Sequence, residues 1–512
     1  MAQYKVPGVY IVEKDAFPNS VVEVATAVPA FIGYTESAAN GNDSLIGVPW
    51  PIQSMADYER YFGGAPAPAF DFAAGEKGAS APYTLTAGAN SQFLLYYSLR
   101  MYFDNGGGPC YIVSTGLYTK QQRAAQDFLD VLGALTRTPE PTMLVAPDVV
   151  LLSDASKVPP IFLGHCNTMQ SRVSIFDVPG GDKVRGVSPN DQIENFRSSV
   201  GTDFLNYGMA YYPWINTQIV DSVDFTAISP ATLGAFATAL TADVTATLTG
   251  ANNQAKLTAL TAKIGEMQKL VPAPAADGAK SDDATPATPP SPQQIMSLHN
   301  VLRTSSKLYV QVMDEIQTRL NLLPPSGAIA GIYGRVDASQ GVFKAPANVS
   351  INSTVSPTVN LSDYEQEDLN VPLDGKAVNA IRAFRGMGTL VWGARTLDGN
   401  SQDWRYINVR RTLIMLEQSI KYAMQAYVFA PNTATTWVTV QNMIENFLTN
   451  QWKAGALSGA KPSDAFSVAI GQPATMTGDD VLNGLMKVLV KVAPVRPAEF
   501  IELTFQQQMQ TS

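Results

Sequence analysis

The chain has 512 residues, of which 46% are hydrophobic and only 15% are charged, and its formal net charge is −9. A single core of that size is uncommon, so we expect two to four domains. The charged fraction is well below the roughly 25% of an average soluble domain, which favours a subunit whose surface is covered by neighbours. The acidic pI, near 4.9, gives no electrostatic support for general nucleic-acid binding.

Charge is unevenly distributed along the chain. From Gly375 to the last residue, 13 Lys and Arg against 9 Asp and Glu give a net charge of +4. The preceding residues contain 22 Lys and Arg against 35 Asp and Glu, which gives a net charge of −13. This asymmetry predicts that the basic C-terminal part meets an acidic partner, while the acidic remainder faces solvent.

The four residues of the types that bind zinc most often are Cys110, Cys166, His165 and His299. They lack ligand-pair spacing apart from the adjacent His165 and Cys166, so we expect ordinary buried residues and no metal site. The first residues lack the apolar run of a signal peptide, and no stretch of about 18 strongly apolar residues occurs. These patterns predict synthesis in the cytoplasm and no direct membrane insertion.

The N-terminal region contains two strand-like stretches, Val9–Val12 and Val21–Phe31, separated by a turn-prone segment around Pro18. A loop region rich in Gly, Pro and Ala follows, at about residues 63–88. Phe93, Tyr97 and Met101 then share one face of a predicted helix that ends at Asn105-Gly106.

Strands and helices alternate through the next hundred residues. The strand predictions are Cys110–Ser114, Thr142–Ala146, Arg172–Val178 and Tyr207–Tyr212. Between them, apolar positions from Ala124 to Leu135 predict a helix, and Ser188, followed by Pro189, predicts the N-cap of another. This order is typical of an α/β layer with a mostly parallel sheet.

Residues 231–322 predict two long helical stretches, the second of them Ile295–Leu323. The segment between them, Val271–Gln294, contains six prolines among Ala, Asp and Ser. Such a composition is typical of a stiff linker, and we interpret it as an extended loop held by neighbours.

The last third of the chain is mixed α and β. Asn408–Phe429 predicts an amphipathic helix with an ion pair between Glu417 and Lys421, and Val438–Leu448 predicts another. Met486–Val492 and Phe500–Phe505 alternate apolar and polar residues, which predicts two half-buried strands. Lys487 and Lys491 share the polar face of the first strand.

The sequence contains no complete motif for nucleotide binding or for nucleophilic catalysis. The glycines after Asn105 follow a helix, whereas a phosphate loop must precede one. Gly278-Ala279-Lys280-Ser281 lacks the first glycine of a P-loop, and Ser458 is one place too late for a nucleophile elbow. We therefore expect neither a cofactor nor enzymatic activity, although a carboxylate-pair hydrolase stays open because such pairs form in space.

Several segments, taken in order, resemble the family of contractile tail sheath proteins, and together they span residues 7 to 505. The segments that carry the resemblance are Pro7–Ile11, Thr26–Thr35, Tyr102–Gly107 with Tyr111–Val113, Leu144–Asp148, Asp177–Pro179, Ala210–Trp214, Pro324–Tyr333, Arg335–Asp337, Gly341–Asn348, Leu369-Asn370, Val391–Leu397, Trp404–Arg411 and Ala493–Ile501. Of these segments, Pro324–Tyr333 is the most specific.

The resemblance implies a multidomain, mixed α/β protein that polymerises as stacked hexameric rings around an inner tube and contracts to drive the tube through a target envelope. Its partners would be copies of itself, the tube, the baseplate and a terminal cap, with no nucleic acid, in a phage tail or tail-like injection particle made in the bacterial cytoplasm. The implied domains are residues 1–35, which join the core; residues 36–328, inserted and outer, with the Pro-rich loop at 271–294; and residues 329–512, the core, ending in an arm at 500–512.

In this family, terminal arms add strands to the sheets of neighbouring subunits. An unpaired strand edge is a template for such pairing. The predicted inter-subunit arm residues are Val6, Gly8, Val9, Tyr10, Ile11, Phe500, Ile501, Leu503 and Phe505.

The resemblance places the basic C-terminal part beside the inner tube. The side chains predicted to face the tube are Lys487, Lys491, Arg405, Arg410 and Arg411. Two other functions stay open at this point: a static shell or tube protein that does not contract, and an α/β hydrolytic enzyme.

Overall fold

A computed structural model describes residues 20–75, 81–88, 92–120, 122–271 and 291–503. The chain divides into two compact units: a smaller one from Met1–Thr26, Gln340–Ala345 and Asn408–Ser512, and a larger one from Ala27–Ser339 and Pro346–Ile407. The smaller unit joins N-terminal residues to the C-terminal part of the chain, as the predicted core does. Residues 346–407, which the predicted core included, lie in the larger unit. How core and inserted domains are divided in an assembly stays a prediction.

The described residues contain eighteen β-strands. In chain order they are β1 Pro29–Thr35, β2 Ala39–Asn40, β3 Asp43–Ser44, β4 Trp50–Ile52, β5 Phe70–Ala74, β6 Tyr83–Ala87, β7 Cys110–Leu117, β8 Met143–Val145, β9 Val173–Asp177, β10 Gly208–Tyr212, β11 Ile215–Thr217, β12 Leu322–Leu323, β13 Val349–Ser350, β14 Thr354–Pro357, β15 Asn379–Phe384, β16 Gly388–Val391, β17 Phe466–Ile470 and β18 Val488–Val492.

The described residues also contain sixteen α-helices. In chain order they are α1 Met55–Phe62, α2 Leu95–Asp104, α3 Ala125–Asp130, α4 Leu132–Thr136, α5 Val158–Met169, α6 Gln192–Val200, α7 Leu233–Thr247, α8 Gln254–Leu270, α9 Pro292–Ser305, α10 Lys307–Leu320, α11 Ser326–Gln340, α12 Asp363–Asn370, α13 Ile407–Met424, α14 Ala434–Lys453, α15 Pro462–Ala465 and α16 Gly478–Leu482.

A nine-stranded sheet organises the larger unit, with the order β13-β16-β15-β10-β9-β8-β1-β7-β4. The six strands from β15 to β7 pair in parallel, and antiparallel strands form both edges. All seven residues of β1 are buried, as expected for a central strand covered on both faces. The predicted mixed α/β fold with a mostly parallel sheet is confirmed.

A second core in the larger unit is helical. It is formed by α7, α8, α9 and α10 together with the hairpin β5–β6, around buried residues that include Phe72, Phe236, Ile264 and Tyr309. The helical stretches predicted at residues 231–322 are therefore four helices. Residues 272–290, which make up most of the Pro-rich segment, lie outside the described residues.

The segment Pro324–Tyr333, on which the family resemblance depends most, includes the first half of α11. Gly327 and Gly331 lie four residues apart on the face of α11 that meets α2. A Cβ atom at Gly327 would collide with the carbonyl oxygen of Ser98, and one at Gly331 with that of Tyr102. These two glycines therefore allow the two helix backbones to approach more closely than any side chain would permit.

The start of α11 is fixed by a buried carboxylate. Asp177, at the end of β9, accepts hydrogen bonds from the backbone N–H and the hydroxyl of Ser326. Burial raises the pKa of the Asp177 carboxyl to about 7, although the two hydrogen bonds from Ser326 act in the opposite direction. The segments Asp177–Pro179 and Pro324–Tyr333, which both carry the family resemblance, are thus in direct contact: Asp177 caps the helix that begins at Ser326.

The raised pKa of Asp177 predicts a pH-dependent stability. Since its pKa is about 7 in the folded chain against 3.8 for an unperturbed carboxyl, the unfolded chain releases this proton at lower pH than the folded chain does. The contribution of Asp177 to the free energy of unfolding therefore falls as pH rises from about 4 to about 7, by roughly 2–4 kcal/mol.

The near-isosteric Asp177→Asn variant, which stays neutral, tests this. Between pH 5 and pH 8 it should lose less stability than the parent in urea titrations, because only the parent ionises a buried carboxyl. Parallel pH profiles of the two proteins contradict the prediction.

Four local predictions are wrong. The region predicted as a loop at about residues 63–88 contains β5 and β6, which pair as an antiparallel hairpin, because their alternating apolar side chains pack on the helical core. The segment Val21–Phe31 is not one strand, because residues up to Thr26 belong to the smaller unit and β1 begins at Pro29. The N-cap near Ser188 is Asp191, whose carboxylate accepts the Ile193 N–H at 2.8 Å and leaves α6 to begin at Gln192.

The fourth correction concerns Glu417, which was predicted to pair with Lys421. Its carboxylate lies 3.3 Å from the guanidinium of Arg410, seven residues earlier on α13. The buried guanidinium, 4% exposed, depends on a carboxylate partner more than the solvated ammonium of Lys421 does, because burying a charge without a partner is costly.

Candidate assembly interface

The C-terminal part of the smaller unit contains a two-stranded antiparallel sheet. Strands β17 and β18 pair from Phe466 opposite Val492 to Ile470 opposite Val488. The valines of β18 pack with Phe466 and Ile470 on a core formed mainly by α13 and α14. This confirms the strand and the alternation predicted for Met486–Val492.

Each of these two strands has one paired edge and one open edge. Within the described residues no third strand pairs with β17 or β18. A short two-stranded ribbon with free backbone N–H and C=O groups along both sides is a template for adding a strand from another chain. The open edges of this sheet could therefore accept a strand from another chain.

The segment after β18 first exchanges backbone hydrogen bonds with Ala456 and Ser458, through Val495 and Ala493, and then presents apolar side chains to solvent. Phe500, Ile501 and Leu503 are 75%, 78% and 74% exposed, respectively. The residues up to Leu503 do not form the predicted strand within this chain. The other predicted arm residues, Val6, Gly8, Val9, Tyr10, Ile11 and Phe505, lie outside the described residues, so their role stays a prediction.

The chain near the N-terminus lies against the same core as the sheet. Val21 and Val24 pack on it, the Val24 N–H donates to the Ser419 hydroxyl at 3.1 Å, and Gln451 donates to Glu23 at 3.2 Å. The apolar residues between positions 21 and 31 predicted a single strand in the sequence. That pattern does not show that Val21 and Val24 pack on a different unit from β1.

Two of the predicted tube-facing residues lie on the exposed side of this region. Lys491 lies on the outer face of β18, next to Leu489. Lys487 precedes the strand, is about half exposed, and its ammonium lies 2.7 Å from the Asp480 carboxylate. Hydrogen bonds from Lys487 and from the backbone N–H and hydroxyl of Thr477 lower the pKa of Asp480 to about 2.

The three arginines are differently placed. Arg405 lies in the larger unit, half-buried, and donates to the Ser401 carbonyl at 3.0 Å. Arg410 and Arg411 are each only 4% exposed, and Arg411 donates to the Thr26 carbonyl at 3.1 Å. The two arginines on α13 thus make contacts inside the smaller unit, and a role of any of the five residues in a contact with the tube stays a prediction.

The residues considered for catalysis or metal binding are dispersed. The His299 imidazole contacts the Tyr309 hydroxyl at 2.9 Å, and His165 lies 3.4 Å from Arg172. Burial lowers the pKa of His165 to about 4. Both cysteines are buried thiols, and in the described part of the chain no three His, Cys, Asp or Glu side chains are grouped to hold a metal.

A cavity of about 320 Å³ lies beyond the ends of β8 and β9, lined by Phe162, Phe176, Phe196 and Asn195 with the Asp177 carboxyl. This is where α/β folds often hold ligands. Asp177 uses both carboxyl oxygens to hold Ser326, which gives it a structural task.

Among the helices described, none combines the length and the apolar character needed to cross a membrane.

Comparison with known proteins identifies relatives of one kind. The family model described as the phage tail sheath C-terminal domain matches residues 400–508. The tail sheath protein of Burkholderia phage BcepMu is 29% identical over 128 residues, which are 24% of this chain and 27% of that protein. That of Salmonella phage ViI is 23% identical over 167 residues, 32% of this chain and 26% of that protein. Each match thus covers about a quarter of the curated relative.

Solved structures match over nearly the whole chain. The anti-feeding prophage (AFP) helical sheath in the contracted state is 27% identical, with a TM-score of 0.59, over 99% of this chain and 100% of that one. A chain of the AFP baseplate structure is also 27% identical, with a TM-score of 0.57, over 99% of this chain and 100% of that one. The PVC sheath complex of an extracellular contractile injection system, also in the contracted state, is 25% identical, with a TM-score of 0.58, over 99% of both chains.

Proposed function

We propose that this chain, which resembles contractile tail sheath proteins along its whole length, is the subunit of a contractile sheath. The observation that carries the proposal is the likeness to the AFP sheath, 27% identical with 99% of this chain matched. A likeness confined to the α/β sheet would support only a common fold. Because the likeness to the AFP sheath also includes the smaller unit, it supports a common mode of assembly as well.

The strand edges of β17 and β18 give the proposal a physical basis. An arm from a neighbouring subunit can add a strand to this sheet, and each backbone hydrogen bond contributes about 1 kcal/mol net. The exposed Phe500, Ile501 and Leu503 are suited to be such an arm. Repeated between subunits, this exchange makes a mesh that stays connected while the lattice changes shape.

The finer features belong to the same proposal. The subunits stack as hexameric rings around an inner tube, between a baseplate and a terminal cap, and the sheath acts without a catalytic site. The energy for contraction is stored at assembly, in an extended lattice whose subunits gain contacts as it shortens.

Electron microscopy of the overexpressed protein tests the proposal directly. We expect long tubes with a cogwheel cross-section, because the proposed strand exchange joins copies of this chain without help from another protein. Smooth tubes or shells of fixed diameter would favour a static coat, and monomers at all concentrations would contradict the proposal.

The contact with the inner tube is proposed to depend on Lys487 and Lys491. Exposed ion pairs contribute only about 0.2–1 kcal/mol each, which suits a contact that contraction must break. The Lys487→Glu/Lys491→Glu variant should assemble on tubes about tenfold less efficiently than the parent, since reversing both charges costs ~1.4 kcal/mol per subunit.

Pelleting with purified tubes, followed by counting sheathed tubes, measures this effect. The control is Lys453→Glu/Lys461→Glu, which makes the same change of charge at two other exposed lysines of the smaller unit. Equal assembly by the two variants would contradict the assignment.

A further inference from the structure

Helices α2 and α11 lie side by side and run in the same direction. The two positions where their backbones touch advance together, from Gly327 against Ser98 to Gly331 against Tyr102. Four residues along α11 thus correspond to four residues along α2, which holds only for a parallel pair. The N-termini of the two helices therefore lie at the same end, and a contact between backbones leaves no side chain that could rearrange to let one helix move alone.

Both N-termini are held by buried carboxyl groups from the sheet. Asp177, the last residue of β9, caps α11 through Ser326. Asp148, three residues after β8, caps α2: its carboxyl accepts the N–H of Leu94, and also that of Tyr34 in β1 at 3.0 Å. Helix α2 has no cap from a side chain of its own N-cap residue. Because β8 and β9 are neighbouring parallel strands, the two carboxyls lie on the same edge of the sheet.

Burial opposes the ionisation of both carboxyls. It raises the pKa of Asp148 to about 6, although the N–H groups of Leu94 and Tyr34 and the guanidinium of Arg123 act in the opposite direction. It raises the pKa of Asp177 to about 7. A protonated carboxyl still accepts hydrogen bonds from N–H groups, so both caps persist without a buried charge. An ionised carboxylate instead gains free energy when the helix end opens and water reaches it.

The neighbours of the two carboxyls leave the response near neutral pH to the carboxyls themselves. Burial raises the pKa of the tyrosines around Asp148 above their ordinary value and lowers that of His165, on α5, to about 4. Beside Asp177, the hydroxyls of Tyr211 and Tyr333 contact each other at 2.7 Å. The neighbours are Tyr34, Tyr58, Tyr118 and Arg123 around Asp148, and Tyr211 on β10, Tyr333 on α11, the neutral Asn195 on α6, and His165 with Arg172 towards the far end of β9 around Asp177.

We propose that α2 and α11 form one proton-controlled element, which stays docked on the sheet when Asp148 and Asp177 are protonated and opens at its N-terminal end when both ionise. Ionisation of either carboxyl weakens the seat of both helices, because the backbone contact at Gly327 and Gly331 joins them. The element belongs to the folded monomer, so this inference does not depend on the proposed sheath function.

The size of the expected response follows from the two pKa values. In the opened state both carboxyls have the ordinary pKa of 3.8. Raising the pH from 5 to 8 then increases the opening equilibrium about tenfold through Asp148 and about a hundredfold through Asp177. If the helices open together, both factors act on both helices, which gives roughly a thousandfold. If they open separately, α2 shows the smaller factor alone and α11 the larger one alone.

Hydrogen–deuterium exchange of the monomeric chain at pH 5 and pH 8, corrected for the intrinsic effect of pH on exchange, measures this opening. The amides of Ser98 and Ile329, which donate in the first turns of α2 and α11, should each lose about a thousandfold of their protection. The amide of Ile295 in α9, a helix capped by the uncharged Ser291, is the control and should keep its protection. An α2 that loses only about tenfold, or an α9 that changes with it, would overturn the inference.

Near-isosteric variants identify the groups responsible. Asp177→Asn should reduce the pH response to about tenfold in α2 and α11 alike, and Asp148→Asn should leave about a hundredfold in both. The control is Asp154→Asn: this carboxylate also holds a helix start, through the Ala125 N–H at 3.0 Å, but that hydrogen bond lowers its pKa, so the variant should respond like the parent. An Asp177→Asn variant that changes α11 and leaves α2 as in the parent would overturn the inference. If a variant does not fold, the exchange of the parent at the two pH values still decides.

Discussion

Replacing Gly331 with alanine is expected to destabilise the larger unit by about 3 kcal/mol. The new methyl group would collide with the Tyr102 carbonyl oxygen and lie 2.9 Å from the Asn105 Cβ. A backbone carbonyl cannot rotate away as a side chain can, so α2 and α11 must separate and lose packing along their contact. The measurement is the free energy of unfolding from urea titration of the monomeric chain.

Gly334→Ala is the matched control, since it makes the same substitution one turn later on the same helix. The nearest atom to its new methyl group is the Gly106 carbonyl oxygen at 3.4 Å, an ordinary contact. Because alanine favours helix over glycine by up to about 1 kcal/mol, this variant should be as stable as the parent or more stable. If the two variants unfold at the same urea concentration, the close contact of α2 and α11 does not limit stability.

Removing either arm is expected to abolish sheath assembly while the monomer stays folded. The change is deletion of residues 1–12, or truncation after Glu499. Four backbone hydrogen bonds of about 1 kcal/mol each would account for about 4 kcal/mol per contact, nearly a thousandfold in association. The measurements are electron microscopy for assembly and circular dichroism for folding.

The stability of the truncated monomer is the internal control for this experiment. Since Phe500, Ile501 and Leu503 are about three-quarters exposed, truncation after Glu499 should leave the unfolding midpoint of the monomer within a degree or two. A truncated chain that still assembles and contracts normally would refute the role of the arm. If the truncated chain no longer folds, the arm is needed for the stability of the monomer, which would refute the prediction that only assembly depends on it.

The sequence by itself determined the elements whose pattern is local. The apolar runs at 110–114, 142–146 and 207–212 become β7, β8 and β10, and the period of residues 408–429 becomes α13. These predictions succeed because side-chain alternation and helical periodicity depend on neighbours a few residues away. The order of strands and helices was likewise enough to predict a mostly parallel sheet.

Only the tertiary structure decided which side chains serve the core and which serve a surface. Arg410 and Arg411 read as surface charges in sequence, yet both are buried, with Arg411 donating to the Thr26 carbonyl and Arg410 paired with Glu417. Asp177 and Ser326, which form two hydrogen bonds with each other, lie 149 residues apart. Such features depend on contacts between distant segments, which the fold creates and the local sequence does not specify.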